Sequence, residues 1–241
     1  MMEGFGLNPP WSFVGFKFMD LEKAIQTIIQ NTLFLGLKDV VENNAYHDHE
    51  PVYSHLIKTK DIALNEIKGD FITSLEAKKH FLKFVNENFQ GMKRADIMIL
   101  IALLHDIGKI LSVKEDDNVR PIAVTDSSGT TSIPGHEYWG STIIGTILQD
   151  FTLKFEIITY IVNVVRLHDT FGGVFFDTRK DLSTETLLND VKSRAEGLYK
   201  EAMFNQYCDC FSAKPFEYGK EMLIKLFNEP DLYKKREYVI T

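Results

Sequence analysis

The sequence predicts an all-α protein, and three observations predict it. Apolar residues recur at helical spacing nearly everywhere, only seven prolines interrupt 241 residues, and the apolar run MILIALL at 98–104 shows neither alternation nor a turn signal. A run of that length within a longer periodic segment is helix rather than strand. With 44% hydrophobic residues the chain can bury a sizeable core, and its length fits one domain. We place the core at about 20–227, with a peripheral N-terminal segment and C-terminal tail, because no repeat or composition shift marks a boundary.

The elements follow in order. Residues 20–36 (DLEKAIQTIIQNTLFLG) open on an N-capping Asp20, place Leu21, Ile25, Ile28 and Ile29 on one face and close at Gly36. Pro51 suits the first turn of a second helix, through Val52, His55, Leu56 and Ile62 to about Lys68. Ser74 caps a third, ending near Gly91; the fourth starts near Ala95, carries the apolar run and stops at Gly108. Residues 112–135 are polar and rich in Ser, Thr, Gly and Pro, which reads as a long loop with a short extended piece at 121–125. Loops of this length are often functional lids, and this one is expected to set specificity. Helices follow at 134–149 and 154–167, then a Gly172-Gly173 turn, then helices near 184–211 and 215–227 and a charged tail. The aromatics of the first 18 residues are expected to pack onto the bundle.

The net charge of −7 argues against a surface that holds extended nucleic acid by its phosphates, though it permits a small anion in a local positive pocket. No apolar run approaches the roughly 20 residues that span a bilayer, and the N-terminus does not read as a leader, so a cytoplasmic protein is expected. Cys208 and Cys210 are too few and too close for a secreted disulfide framework, and without a second pair they read as ordinary buried thiols.

The sequence MILIALLHDIGKI (98–110) ends a core-like run in an imidazole and a carboxylate, His105 and Asp106. Burying that pair without partners is costly. Four of the seven histidines, His55, His105, His136 and His168, sit among apolar residues where a helix begins, ends or turns inward. A lone buried histidine is more often a hydrogen-bonded core residue than a ligand. Four with one carboxylate, converging in a bundle, suit a divalent metal bound at about 2.0–2.2 Å. His47 and His49, in a polar turn, and His80, on a Lys-rich face, read as surface residues rather than ligands, with a substrate contact left open for the turn because it lies next to His55. Tyr138, Trp139, Phe171, Phe175 and Phe176 read as packing rather than a base-stacking platform.

These residues carry a resemblance. A first His, a His-Asp doublet at a helix end and a distant Asp is the pattern of the HD-domain metal-dependent phosphohydrolases, which the chain resembles in His55, in His105-Asp106 and in the wording LLHDIGK. Segments 46–59 (YHDHEPVYSHLIKT), 100–110 and 134–140 (PGHEYWG), with RLHD after them, are also similar to the HD domain attached to some bacterial tRNA nucleotidyltransferases. The likeness covers about residues 46–211, with no nucleotidyltransferase portion recognisable. It implies a single-domain helical bundle of the HD-domain type. It also implies Asp209 as the last ligand, with Asp190 as competitor; the apolar face before Asp209 would turn it inward, whereas Asp190 has charged surroundings. His136 and His168 resemble the extra histidines of two-metal members, so one metal or two, with Asp106 shared, both stay open. Mn, Fe, Co, Ni, Zn and Mg are not distinguished.

The chemistry expected of such a centre is hydrolysis of a phosphomonoester or phosphodiester of a nucleotide or similar small ester by metal-activated water. Asp106 and Lys109 are the expected catalytic residues. Lys109 would also meet non-bridging oxygens, with Arg166 and with Lys58, one turn from His55, as further substrate contacts. Lys109 could equally serve only as a helix-end cation. Asp169 or Glu137 would orient a metal-bound histidine or take a proton. The alternatives are a non-catalytic nucleotide-binding or regulatory HD module, and a structural protein with a degenerate site.

Overall fold

A computed structural model of the protein describes residues 20–44, 46–113, 124–125, 127, 129–213 and 217–234. The N-terminal aromatics, half of the 112–135 loop and the end of the charged tail lie outside the described residues. The described part is an all-α bundle: α1 (Leu21–Ile29), α2 (Thr32–Gly36), α3 (Val52–Glu66), α4 (Leu75–Val85), α5 (Arg94–Leu104), α6 (His136–Leu148), α7 (Phe155–Arg166), α8 (Gly173–Asp177), α9 (Thr184–Arg194), α10 (Tyr199–Ser212) and α11 (Glu217–Phe227). Three antiparallel pairs of two-residue strands accompany it: β1 (Val41–Glu42) with β2 (Glu50–Pro51), β3 (Asn88–Phe89) with β4 (Met92–Lys93), and β5 (Val124–Thr125) with β6 (Thr131–Ser132). Among the described residues no helix is long and apolar enough to cross a membrane.

The apolar run is the axis of the bundle. Every residue of α5 from Ile97 to Leu104 is buried, and the helix packs against α3, α7 and α10, which accounts for its lack of a polar face. Where α5 enters the core, Arg94 Nη1 reaches Glu201 Oε1 on α10 at 2.9 Å, and Tyr160 of α7 contacts both groups. Burial raises the Tyr160 phenol well above its ordinary range, and the neighbouring Glu201 carboxylate adds to that; Arg94 acts the other way.

Several expected elements divide. The helix expected over 20–36 breaks after Ile29, because the Asn31 side chain accepts from Leu33 N and starts a new helix. The helix expected over 184–211 breaks at Ala195–Leu198, where Glu196 and Gly197 have φ of 44° and 93°. Residues 88–93 form a hairpin, ending the third helix at Val85 rather than near Gly91. The fourth ends at Leu104, with a 3-10 turn over Ile107–Val113, so Gly108 lies inside that turn. Gly172-Gly173 leads into α8. Of the extended piece at 121–125, the described part is β5.

Gly108 determines how closely the doublet approaches α6. A Cβ built on it would stand 1.9 Å from the His136 carbonyl oxygen and 2.4 Å from Gly140 N, so only a glycine lets the two backbones meet here. Gly135, at φ 79°, turns the chain into α6 immediately before His136.

Candidate metal centre

Element ends and turns deliver the side chains. His55 comes from the first turns of α3, His105 and Asp106 directly follow α5, and His136 is the first residue of α6. His168 opens the 3-10 turn after α7, and Asp209 lies in the last turn of α10. All four imidazoles are buried, as is Asp106 at 3% exposure.

The rings are held from behind. His105 Nδ1 lies 2.9 Å from Ala102 O, His136 Nδ1 2.7 Å from Ile133 O and His168 Nδ1 2.6 Å from Val165 O. A carbonyl only accepts, so each Nδ1 carries a proton and, in the neutral ring, Nε2 is the nitrogen left to ligate. His55 Nδ1 meets Ser212 Oγ at 3.1 Å; that hydroxyl donates to Asp209 O at 2.8 Å and so accepts from His55. All four Nε2 atoms then face inward, each able to ligate a cation when its ring is neutral.

They face one carboxylate. Asp106 Oδ1 stands 2.9 Å from His136 Nε2 and 3.3 Å from His168 Nε2, while Oδ2 stands 3.7 Å from His55 Nε2 and 3.5 Å from His105 Nε2. Asp209 Oδ1 adds to the second pair, 2.9 Å from His55 Nε2 and 3.6 Å from His105 Nε2. Two ligand groups result: His55, His105 and Asp209, and Asp106, His136 and His168.

The arrangement fits divalent ions on two observations. His55 Nε2 and His105 Nε2 are fully buried and make no aligned hydrogen bond, and His136 and His168 bring Nε2 to within 3.0 Å of Nε2, a contact that either a proton or a metal ion must bridge. Ligands about 2.1 Å from one ion stand about 3.0 Å apart in octahedral and about 3.4 Å apart in tetrahedral geometry, and the separations here run from 2.9 to 3.7 Å, within about 0.3 Å of that range. The residues therefore can hold a metal ion; the set of imidazole and carboxylate does not select which.

Charge follows the same geometry. Burial alone would raise the Asp106 carboxyl, but Lys109, His105 and His136 more than offset it and hold it well below the usual range. Asp209 behaves likewise: burial raises it and the imidazoles of His105 and His55 pull it well down. Burial lowers His168, yet Asp169 and Asp106 overcome this and lift it to about 9. A bare centre thus takes up a proton where a metal would bind.

The centre opens into a cleft of about 610 Å³, a nucleotide-sized volume, lined on one side by Glu42, Asn44 and His47 and on the other by Asp169, Phe175 and Arg179. The rim is tied down by Asn43 and Asn44, whose side chains donate to Gly129 O and Thr131 O at 3.1 and 3.4 Å.

The structure brings together His55, His105, Asp106, His136, His168 and Asp209, leaves the competitor Asp190 outside, and places three other residues differently from expectation. Asp190 is not at the centre: it binds Arg179 and Arg194 on α9. Lys58 does not line the cleft; it is exposed and pairs with Glu50. Arg166 does not line it either, lying exposed beside the Tyr138 ring with Cζ 5.7 Å from the centroid. His47 is not a surface residue: it is buried at the cleft, its ring 4.5 Å from that of His55. His49 and His80 are exposed, and Phe171, Phe175 and Phe176 pack in the core. Lys109 lines the cleft, but its ammonium is held 2.7 Å from Asp106 Oδ2 and 2.8 Å from Glu42 Oε2, so it balances Asp106 before it can meet any substrate.

Sequence reasoning missed Glu42, Ser212 and Gln206, the last donating to Asp209 Oδ2 and Cys210 Sγ at 3.2 Å each. Nothing local marks them. Asp169 stands at the cleft with its carboxylate 3.3 Å from His168 Nε2 and 3.6 Å from His136 Nε2, and Glu137 lies 3.7 Å from His136 Nδ1. Comparison with known proteins found no family model and no curated protein that matches the chain.

Proposed function

We propose that the protein is a metal-dependent phosphohydrolase of the HD-domain type, hydrolysing a phosphoester of a nucleotide or similar small molecule. One observation carries the reading: Asp106 offers each of its oxygens to a different pair of inward-facing imidazoles, at the floor of a cleft of substrate size. The likeness of LLHDIGK and PGHEYWG to that family supports it.

In this reading Asp106, Asp209 and the four Nε2 atoms hold one or two divalent ions, among Mn, Fe, Co, Ni, Zn and Mg. A bound divalent ion lowers the pKa of its water from 15.7 toward about 7 and polarises a phosphoryl oxygen. The chain supplies the rest. The Nδ1 hydrogen bonds fix ring and tautomer in advance, so ligation needs little reorganisation. Lys109 compensates Asp106 inside the core. Asp169, more than half exposed, stands where it can accept a proton from water entering the cleft. The partner is a small phosphate ester, and the two free thiols suit a reducing, cytoplasmic setting.

The test is elemental analysis of the gently purified full chain, joined to turnover of bis-p-nitrophenyl phosphate and a nucleotide panel with and without chelator. Stoichiometric metal is expected, with turnover lost on chelation, restored by metal and abolished in Asp106→Ala. Absence of metal, or turnover indifferent to Asp106→Ala, overturns the reading. Metal with tight nucleotide binding and no product over hours replaces the enzyme with a binding module.

A further inference from the structure

The cleft does not end at the histidines. Its far wall is built from Phe175 and Thr178, at the end of α8, Arg179 just after them, and Arg194 in the last turn of α9. Asp190, one turn earlier on α9, receives the Nε of both arginines, Arg194 at 3.2 Å on Oδ1 and Arg179 on Oδ2. The Phe175 ring supports both guanidinium groups, its centroid 4.2 Å from Arg179 Cζ and 5.2 Å from Arg194 Cζ. Arg179 also directs Nη1 to Phe175 O and Thr178 Oγ1, at 3.2 and 2.8 Å.

Two features of this cluster exceed what an ion pair needs. One carboxylate faces two guanidinium groups, which leaves a net positive charge at this end of a cleft whose other end is acidic. Three guanidinium nitrogens, Arg179 Nη2 and both Nη of Arg194, have no partner among the described residues, although the Nε sides are fixed. A fork pinned by Nε and braced on an aromatic ring is preorganised to bind an anion through Nη. A tetrahedral phosphate offers three oxygens to those three nitrogens, where a carboxylate offers two.

We propose that Arg179 and Arg194 form a phosphate subsite, so that the substrate is an ester with a second phosphate group, one placed at the metal centre and the other at the arginines. This rests on the phosphohydrolase reading for the reaction, though not for the binding. Asp190 and Phe175 are positioning residues, and Arg179 and Arg194 determine specificity between bisphosphorylated and singly phosphorylated substrates.

Two measurements on the full chain test it. In chelator-treated protein, where the histidine centre holds no metal, inorganic phosphate is titrated by calorimetry into wild type, Arg194→Gln, Arg179→Gln and the control Lys180→Gln. Binding at least about tenfold weaker in either arginine variant, and unchanged in the exposed control, is expected from loss of a charge-assisted hydrogen bond. In metal-loaded protein, the ratio of kcat/KM for adenosine 3′,5′-bisphosphate to that for bis-p-nitrophenyl phosphate should fall at least about tenfold in the same variants. Equal phosphate binding by wild type and both variants, or an unchanged ratio, overturns the subsite. Arginine-dependent phosphate binding without turnover of any ester would leave the subsite standing and remove the hydrolase reading instead.

Discussion

Replacing Gly108 with alanine tests the join between the doublet and α6. The added Cβ would lie 1.9 Å from His136 O, 2.4 Å from Gly140 N and 2.9 Å from Gly140 Cα, all of them backbone atoms that no rotamer change can clear. An ordinary carbon–oxygen contact is about 3.3–3.6 Å, so the start of α6 must retreat by about 1.4 Å or more. Overpacking of this kind costs about 1–3 kcal/mol, and the backbone origin of the clash puts it near the upper end. For a chain of this length about 3 kcal/mol lowers Tm by about 6–12 °C. The same retreat carries His136 away from Asp106, now 2.9 Å apart, whereas metal ligation tolerates about 0.2 Å. His55, His105 and Asp209 are carried instead by α3, the end of α5 and α10. Gly108→Ala should therefore weaken any ion held by Asp106, His136 and His168 more than one held by His55, His105 and Asp209, read as metal per chain by elemental analysis beside a thermal melt. Gly145→Ala, in the same helix with open space around the new Cβ, is the control and should gain up to about 1 kcal/mol. A Gly108→Ala protein as stable and as metal-rich as the wild type refutes the close approach and the division into two ligand groups.

Three other outcomes are expected. Glu201→Ala leaves the largely buried Arg94 with Glu87, at 3.3 Å, as its carboxylate partner beside the Tyr160 hydroxyl, and should cost about 3 kcal/mol by urea denaturation; a loss under about 1 kcal/mol would show that the pair is solvated. His168, lifted to about 9 in the metal-free centre, must release a proton to bind metal, so apparent affinity should weaken about tenfold per unit as pH falls below about 9. With its folded pKa above the unfolded 6.5, the metal-free protein carries that stabilisation in full below pH 6.5 and loses it as pH rises through 9; a shallower pH profile between 6.5 and 9 in His168→Asn than in the wild type is the check. Ser212→Ala removes the acceptor of His55 Nδ1 and should weaken metal binding about 10–100-fold with little change in Tm, which a competition titration would measure.

The legible parts were those with local causes. The buried run of α5 is readable because eight successive apolar residues leave no face for water, and His105-Asp106 because such a pair cannot end that run without partners. The break after Ile29 was signalled by Asn31, but the apolar period continued across it and masked the cap. Glu42 could not be found this way: its meaning lies in Lys109, 67 residues away. Lys58 and Arg166 were assigned by proximity along the chain, which misleads at these distances. Arg166 precedes His168 by two residues, and positions two apart on a helical path point to nearly opposite sides. Lys58 shares the helix of His55, but its long side chain follows Glu50 on the outer surface.

The helix ends also explain why five separate segments can build one centre with few specialised residues. The last four carbonyls of a helix have no partner within it, and Ala102 of α5 and Val165 of α7 are among them. A histidine placed three residues later folds its ring back onto that carbonyl, which satisfies the backbone and fixes Nδ1 as donor in one contact; His105 and His168 both do this, and His136 does the same with the turn carbonyl of Ile133. Moved one turn into its helix, either histidine would meet a carbonyl already bonded within the helix and lose the constraint that aims Nε2 at Asp106. Three of the four rings are thus oriented by backbone that any side chain would supply. His55 is the exception: it lies near the start of α3, where the carbonyls are engaged within the helix, and it relies on Ser212 at the end of α10. That dependence couples the half of the centre holding Asp209 to the seating of α10, whereas the other half depends on how closely α6 lies against Gly108.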